Sequence, residues 1–138
     1  MLHCPGTLAL GRENAPDTAS TEFYVTLGHA PRHLDRNMSV IGRVVEGMEV
    51  LQRMPRGEPA KSGIIEKPNK RGTILNAKLG TQLGKSQQTQ FLIDNTRSDN
   101  FAKRLESARH NTGPFLVFPG SGNVDVCYYR PRITRADK

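Results

Sequence analysis

Between Ser20 and Leu27 the side chains alternate, with Glu22, Tyr24 and Thr26 set against Phe23, Val25 and Leu27. A period of two belongs to an extended strand with two unlike faces. The apolar set is expected to fill a core, and the polar set, a carboxylate, a phenol and a hydroxyl, to line a site. Gly28-His29-Ala30-Pro31-Arg32-His33 breaks the strand, Leu34-Asp35-Arg36-Asn37 makes a polar corner, and extended structure resumes over residues 39–45. A short helix over residues 46–54 should end at Pro55, which cannot continue it.

Other segments follow from the same rules. Leu8 and Leu10 alternate with smaller residues in a strand that ends near Gly11, and Asn14 to Ser20 is a turn-forming loop. Met48, Leu51 and Met54 form one apolar stripe on the short helix, as core packing requires. Ile64-Ile65 is expected to start a short strand, and Thr73 to Leu79 to form another. Gly80 to Gln90 is polar and reads as a linker. Beyond it, Phe91-Leu92-Ile93 is a strand. Ser98 caps a helix from Asp99 to about His110 with Phe101, Leu105 and Ala108 on one face. Phe115 to Phe118 and Val124 to Tyr128 are two further strands joined by the turn Pro119-Gly120-Ser121-Gly122.

The net charge of +7, from 20 Lys+Arg and 13 Asp+Glu, raises a nucleic-acid reading, which needs clustered cations. The cations are dispersed instead: residues 1–80 hold 11 Lys+Arg against 8 Asp+Glu, and residues 81–138 hold 9 against 5. The densest run, Lys67-Pro68-Asn69-Lys70-Arg71, lies in a loop signal and is expected to be solvated surface. No apolar run approaches the ~18 residues of a membrane span, and the segment from Met1 to Pro5 lacks the pattern of a signal peptide. Cys4 and Cys127 form no Cys-x-x-Cys motif. Zinc ligation by them with His3 or His110 lacks the usual short spacings, leaving two buried thiols or one disulfide.

Three stretches in order carry a family resemblance: Ala19-Ser20-Thr21-Glu22-Phe23-Tyr24-Val25, then Leu34-Asp35, then residues 41–51, Ile41-Gly42-Arg43-Val44-Val45-Glu46-Gly47-Met48-Glu49-Val50-Leu51. Together they resemble the cyclophilin peptidyl-prolyl isomerases, with their S-Q-F-F-I strand, L-D corner and F-G-x-V-x-x-G-M turn into a helix. The likeness covers about residues 2–79 and corresponds to the second half of a cyclophilin domain. The first-half segment F-H-R-x-x-x-x-F-M-x-Q-G-G-D, which holds the family's catalytic arginine, is not found in this sequence. The fold expected is therefore mainly β, a cyclophilin-like antiparallel β-barrel that is partial, its N-terminal half missing. Unpaired edges are expected next to Leu8, Phe23 and Val44. The domains are 1–79, the C-terminal half of a cyclophilin-like domain; 80–90, a linker; and 91–138, a small α+β extension.

The resemblance implies prolyl cis-trans isomerisation assisting protein folding, by a truncated and divergent member that is inactive as this piece alone. The alternative is a non-catalytic proline-peptide-binding or chaperone module. Partners would be proline-containing peptides or unfolded proteins, with no nucleic acid, membrane, cofactor or metal. By position, Tyr24 corresponds to the aromatic floor of the proline pocket and Leu34 to the leucine of the corner. Gly11, Arg12 and Glu13 correspond to the rim whose backbone pairs with the peptide, and Glu22 to the family glutamine. Met38 stands where many members carry a histidine; it cannot donate that hydrogen bond, and an ionised Glu22 can only accept. No catalytic residue is assigned within the chain. The region around Cys4 and the Val-Asp-Val-Cys tail resemble exported bacterial members, which implies a Cys4–Cys127 disulfide. The location implied is periplasmic if a signal peptide lies upstream and cytoplasmic otherwise.

Overall fold

Thr7–Leu10 forms β1, the middle strand of a three-stranded antiparallel sheet, in the computed structural model, which describes residues 2–118 and 120–137. On one side β1 pairs with β2, Phe23–Val25, in the register Leu8 with Val25, Ala9 with Tyr24 and Leu10 with Phe23. On the other it pairs with β3, Val40–Arg43. The β3 register jumps from Leu8 opposite Gly42 to Ala9 opposite Val40. Ile41 is the extra residue at this shift, as in a β-bulge, and it is 57% exposed.

Gly6 fixes the approach to β1. Its φ of +81° lies in the left-handed region that a side chain rarely adopts, and its N–H donates to Thr26 O at 2.7 Å while its O accepts from Val44 N at 2.8 Å. Both outer strands are thereby anchored at one point. After β3, Gly47, also left-handed, precedes α1, Met48–Arg53, and Met54 leaves the helix just before Pro55.

The sheet reverses part of what the alternation implied. Among the described residues, the buried apolar residue of the core is Ala9, alongside buried His3, Thr7 and Thr26. The Thr26 hydroxyl donates to Cys4 O at 2.6 Å and accepts from Thr7 N at 3.0 Å, so it satisfies backbone groups inside the fold instead of lining a site. Phe23, expected in the core, is 52% exposed. Together with Val25, Leu27, Leu51, Met54 and Ile74 it borders an open, mainly apolar depression of about 280 Å³. The strand has two faces as expected, but the packed one carries Thr26 and the half-buried Tyr24, which also borders that depression.

Among the described residues the sheet does not close into a barrel. Its open edges are β2 and β3. Leu8, expected beside an edge, is paired on both sides. Neither Ile64-Ile65 nor residues 73–79 form a strand, and Leu75 is 94% exposed. Apolar content alone does not make a strand where no neighbour accepts its ladder hydrogen bonds. The backbone falls into two units, Met1–Leu79 and Gly80–Lys138.

In the second unit, β4, Phe91–Ile93, pairs antiparallel with β5, Ile133–Arg135, and α2, Asp99–Arg109, lies between them in the chain. The Ser98 hydroxyl caps α2 by accepting from Phe101 N at 3.2 Å. Residues 80–90 hold two 3₁₀ turns, Gly80–Gln82 and Lys85–Gln87. The strands expected at 115–118 and 124–128 do not form. Asp125 explains the second case: its carboxylate accepts from Cys127 N at 2.7 Å and its carbonyl from Tyr129 N at 2.9 Å, which curls the chain into a turn. Pro119 of the expected turn lies outside the described residues. The partner of β4 is β5, which the sequence reading passed over, so the order is β-α-β.

Candidate functional site

The arrangement that stands out in the first unit is a closed set of polar contacts around His3, whose side chain is fully buried. Its backbone N–H donates to Asp35 Oδ1 at 2.7 Å, and its Nδ1 lies 3.0 Å from the same oxygen. On the other side of the ring, Nε2 lies 2.9 Å from the Tyr24 hydroxyl, and the two rings stack 12° from parallel with centroids 6.0 Å apart. Arg32 completes the set, with its guanidinium 3.2 Å from Asp35 Oδ2 and donating to His3 O at 3.1 Å.

Local structure explains how these groups arrive together. The 3₁₀ turn Arg32–Leu34 follows Pro31, and Leu34 N donates back to Pro31 O at 3.1 Å. Asp35 then sits at the corner, and Arg36 adopts a left-handed φ of 69° that turns the chain towards β3. Leu34 O accepts from both Asn37 N and Met38 N. Thus the corner brings Asp35 under His3 while β2 brings Tyr24 to its other edge.

Electrostatics fix the protons. The His3 backbone N–H, ahead of its imidazole and the Arg32 guanidinium, holds the Asp35 carboxyl below its ordinary range, against the opposing pull of burial. Ionised, Asp35 can only accept, so His3 Nδ1 carries a hydrogen; in the neutral ring Nε2 then accepts from the Tyr24 hydroxyl. Burial pushes the Tyr24 phenol above its ordinary value of 10.0, keeping it a neutral donor.

The residues expected to bind a peptide are placed as follows. Tyr24, Leu34 and Met38 are half-buried, while Glu22 and Glu13 are exposed. Gly11 N donates to Glu22 O at 2.8 Å, which extends the pairing of β1 and β2, and a side chain at Gly11 would press on Glu22 Cβ at 3.3 Å. Glu13 N donates to the Thr18 hydroxyl at 3.1 Å. Arg12 spends its guanidinium on backbone carbonyls, those of Asn37, Glu13, Asn14 and Ala15, so it staples the loop and forms no ion pair with Glu22. Neither Cys4 nor Cys127 is a free thiol.

Sequence reasoning missed His3, which it weighed only as a metal ligand, and saw Asp35 only as part of a corner. Their separations, 32 residues between His3 and Asp35 and 21 between His3 and Tyr24, leave no local signal. Among the described residues no group of three or more His, Cys, Asp or Glu is arranged to hold a metal ion, and no helix is long and apolar enough to cross a membrane.

A β2–β1–β3 sheet with a Leu-Asp corner and a Gly-Met turn into a helix agrees with what comparison with known proteins finds. The sequence profile described as cyclophilin type peptidyl-prolyl cis-trans isomerase/CLD matches residues 1–79. The chain belongs to the cyclophilin-type peptidyl-prolyl cis-trans isomerase family. It is 40% identical over 74 residues to a peptidyl-prolyl cis-trans isomerase of Arabidopsis thaliana, a match covering 54% of this chain and 32% of that protein. It is 27% identical over 116 residues to one of Saccharomyces cerevisiae, covering 75% of this chain and 29% of that protein. The chain spans about a third of the length of the curated relatives it matches.

Proposed function

We propose that this protein is a peptidyl-prolyl cis-trans isomerase acting on X-Pro bonds of unfolded or extended peptides, and that residues 1–79 supply one wall of its groove. The observation that carries this reading is the family match over residues 1–79; it is supported by Tyr24, which corresponds by resemblance to the family's pocket aromatic and whose hydroxyl lies 2.9 Å from His3 Nε2. Rotation about the X-Pro amide faces a barrier of about 18–20 kcal/mol. A catalyst lowers it by gripping the proline ring against an apolar wall and by donating a hydrogen bond to the nitrogen as it becomes pyramidal.

The wall consists of Tyr24 and Leu34, bordered by Met38, with Gly11, Arg12, Glu13 and Glu22 as its rim. The donor is an arginine of the family's F-H-R segment, which the proposal places outside these 138 residues. In this reading the barrel is partial and the member is divergent. A second reading, a proline-peptide-binding module without turnover, draws on the engagement of Arg12 and Arg32, whose guanidinium groups are tied to backbone carbonyls and to Asp35.

The test is acceleration of cis-to-trans conversion in a proline tetrapeptide, by the chain alone and after mixing with a polypeptide carrying the F-H-R segment of a relative. The chain alone should give none, because loss of one transition-state donor costs about 10²–10³ in rate. The mixture should give measurable turnover. Binding without any turnover in the mixture establishes the second reading; activity of the chain alone sinks the assignment of the donor.

The same proposal pairs Cys4 with Cys127 in a disulfide, supported by the finding that neither is a free thiol. It locates the protein in an oxidising periplasm where a signal peptide precedes it, and in the cytoplasm otherwise. A long-loop bridge of this kind stabilises by up to ~4–5 kcal/mol. Intact mass should rise by two hydrogens on reduction; two alkylatable thiols in protein taken from oxidising conditions overturn the pairing.

A further inference from the structure

We propose that His3 is a positioning residue for the proline groove, holding the Tyr24 ring in one orientation through a tautomer that Asp35 imposes. The inference rests on the groove reading above and adds to it a residue that no groove motif contains. A fully buried imidazole needs partners for both nitrogens, and here the partners are unequal. Asp35 takes the Nδ1 hydrogen and is itself fixed by the His3 backbone N–H and by Arg32. That leaves Nε2 as an acceptor, and the hydroxyl at 2.9 Å belongs to Tyr24.

The ring of Tyr24 is therefore held at two points. Its Cβ is fixed by β2, where Tyr24 pairs with buried Ala9, and its hydroxyl is fixed by His3. Because the phenolic hydrogen is committed to His3, Tyr24 meets a peptide as an aromatic wall and not as a hydrogen-bond donor. The Thr26 hydroxyl fixes the next position on the same face by bonding Cys4 O, the carbonyl directly after His3, so the segment bearing His3 is tied to the strand bearing Tyr24. A wall already in place spares the peptide the cost of ordering it on binding.

The experiment uses the 138-residue chain, its Tyr24→Phe variant, which keeps the ring and removes the hydroxyl, and its Asp35→Asn variant, which keeps an acceptor and removes the charge. Nuclear magnetic resonance of the ¹⁵N-labelled imidazole should show His3 with its hydrogen on Nδ1. The Tyr24 ring should flip slowly enough to give separate signals for its two edges. In Tyr24→Phe the edges should average, and affinity for a proline tetrapeptide should fall about two- to tenfold, the cost of re-ordering one freed side chain. Asp35→Asn should show a mixed tautomer and a smaller loss.

An Nε2–H tautomer in the parent chain overturns the proposal. So does free flipping of the ring in the Tyr24→Phe variant while peptide affinity stays at the parent value, and in that case the groove reading survives. If Tyr24→Phe does not fold, Asp35→Asn decides alone: a changed tautomer with unchanged affinity refutes positioning. If the tetrapeptide shifts no Tyr24 signal in the parent chain, the groove reading fails and the positioning role falls with it.

Discussion

Each unit of the molecule is tied by an aspartate that reaches a backbone N–H far away in sequence, and the two ties differ in how much water they see. Asp35 accepts from His3 N, 32 residues away, with its side chain 11% exposed. Asp94 accepts from Arg132 N at 2.9 Å, 38 residues away, and pairs with Arg104 at 3.0 Å. That pair is 36% and 21% exposed. Arg104 also donates to Arg130 O at 3.0 Å and lies over the rings of Phe101 and Tyr129. The bonding patterns are similar, but water reaches Asp94 more than Asp35, and the imidazole in the first tie is fully buried. Burial, not the number of contacts, therefore sets how costly each tie is to break.

The largest loss is expected from His3→Ala, which removes the fully buried imidazole of the first tie. It leaves the Tyr24 hydroxyl and Asp35 without their buried partner and opens a cavity, for an expected loss of about 3 kcal/mol. Urea denaturation followed by tyrosine fluorescence measures it, and a loss no larger than that of an ordinary surface substitution refutes the buried tie.

Acid should act on the first tie as well. The Asp35 carboxyl is lowered from 3.8 on folding, so its contribution is fully present above that value and is lost as the pH falls through the lower folded one. The melting temperature of the parent chain should drop across that acid range, and that of Asp35→Asn should drop less. Parallel curves contradict the assignment.

The smallest effect is expected at Arg104→Ala. Solvent screening limits the ion pair, and the ring contacts add little at a half-exposed site, so about 1 kcal/mol is expected. Hydrogen exchange of the β4 and β5 amides reports it. Raising the salt concentration should weaken this tie more than the contact of the fully buried His3 ring with Asp35, because screening acts on charges that water reaches; equal salt sensitivity removes the distinction between the two.

Local side-chain pattern was enough to locate the strands at 7–10, 23–25 and 40–43, the helices at 48–53 and 99–109, and the family. In these stretches side-chain period, Ser98, Gly47 and Pro55 act within a few residues of the structure they set. The same pattern overread apolar runs at 73–79, 115–118 and 124–128, because a strand exists only where another backbone accepts its hydrogen bonds, and it passed over Ile133-Thr134-Arg135, whose partner is β4. Period two announced that β2 has two faces, yet only the neighbours of β1 and the loop at residues 3–4 put Tyr24 and Thr26 on the packed one. The His3, Asp35, Tyr24 and Arg32 set likewise exists only in the folded chain. Its hydrogen bonds to His3 join residues 21 to 32 positions apart, and a contact at that separation depends on how the intervening chain folds back, which no local pattern of side chains encodes.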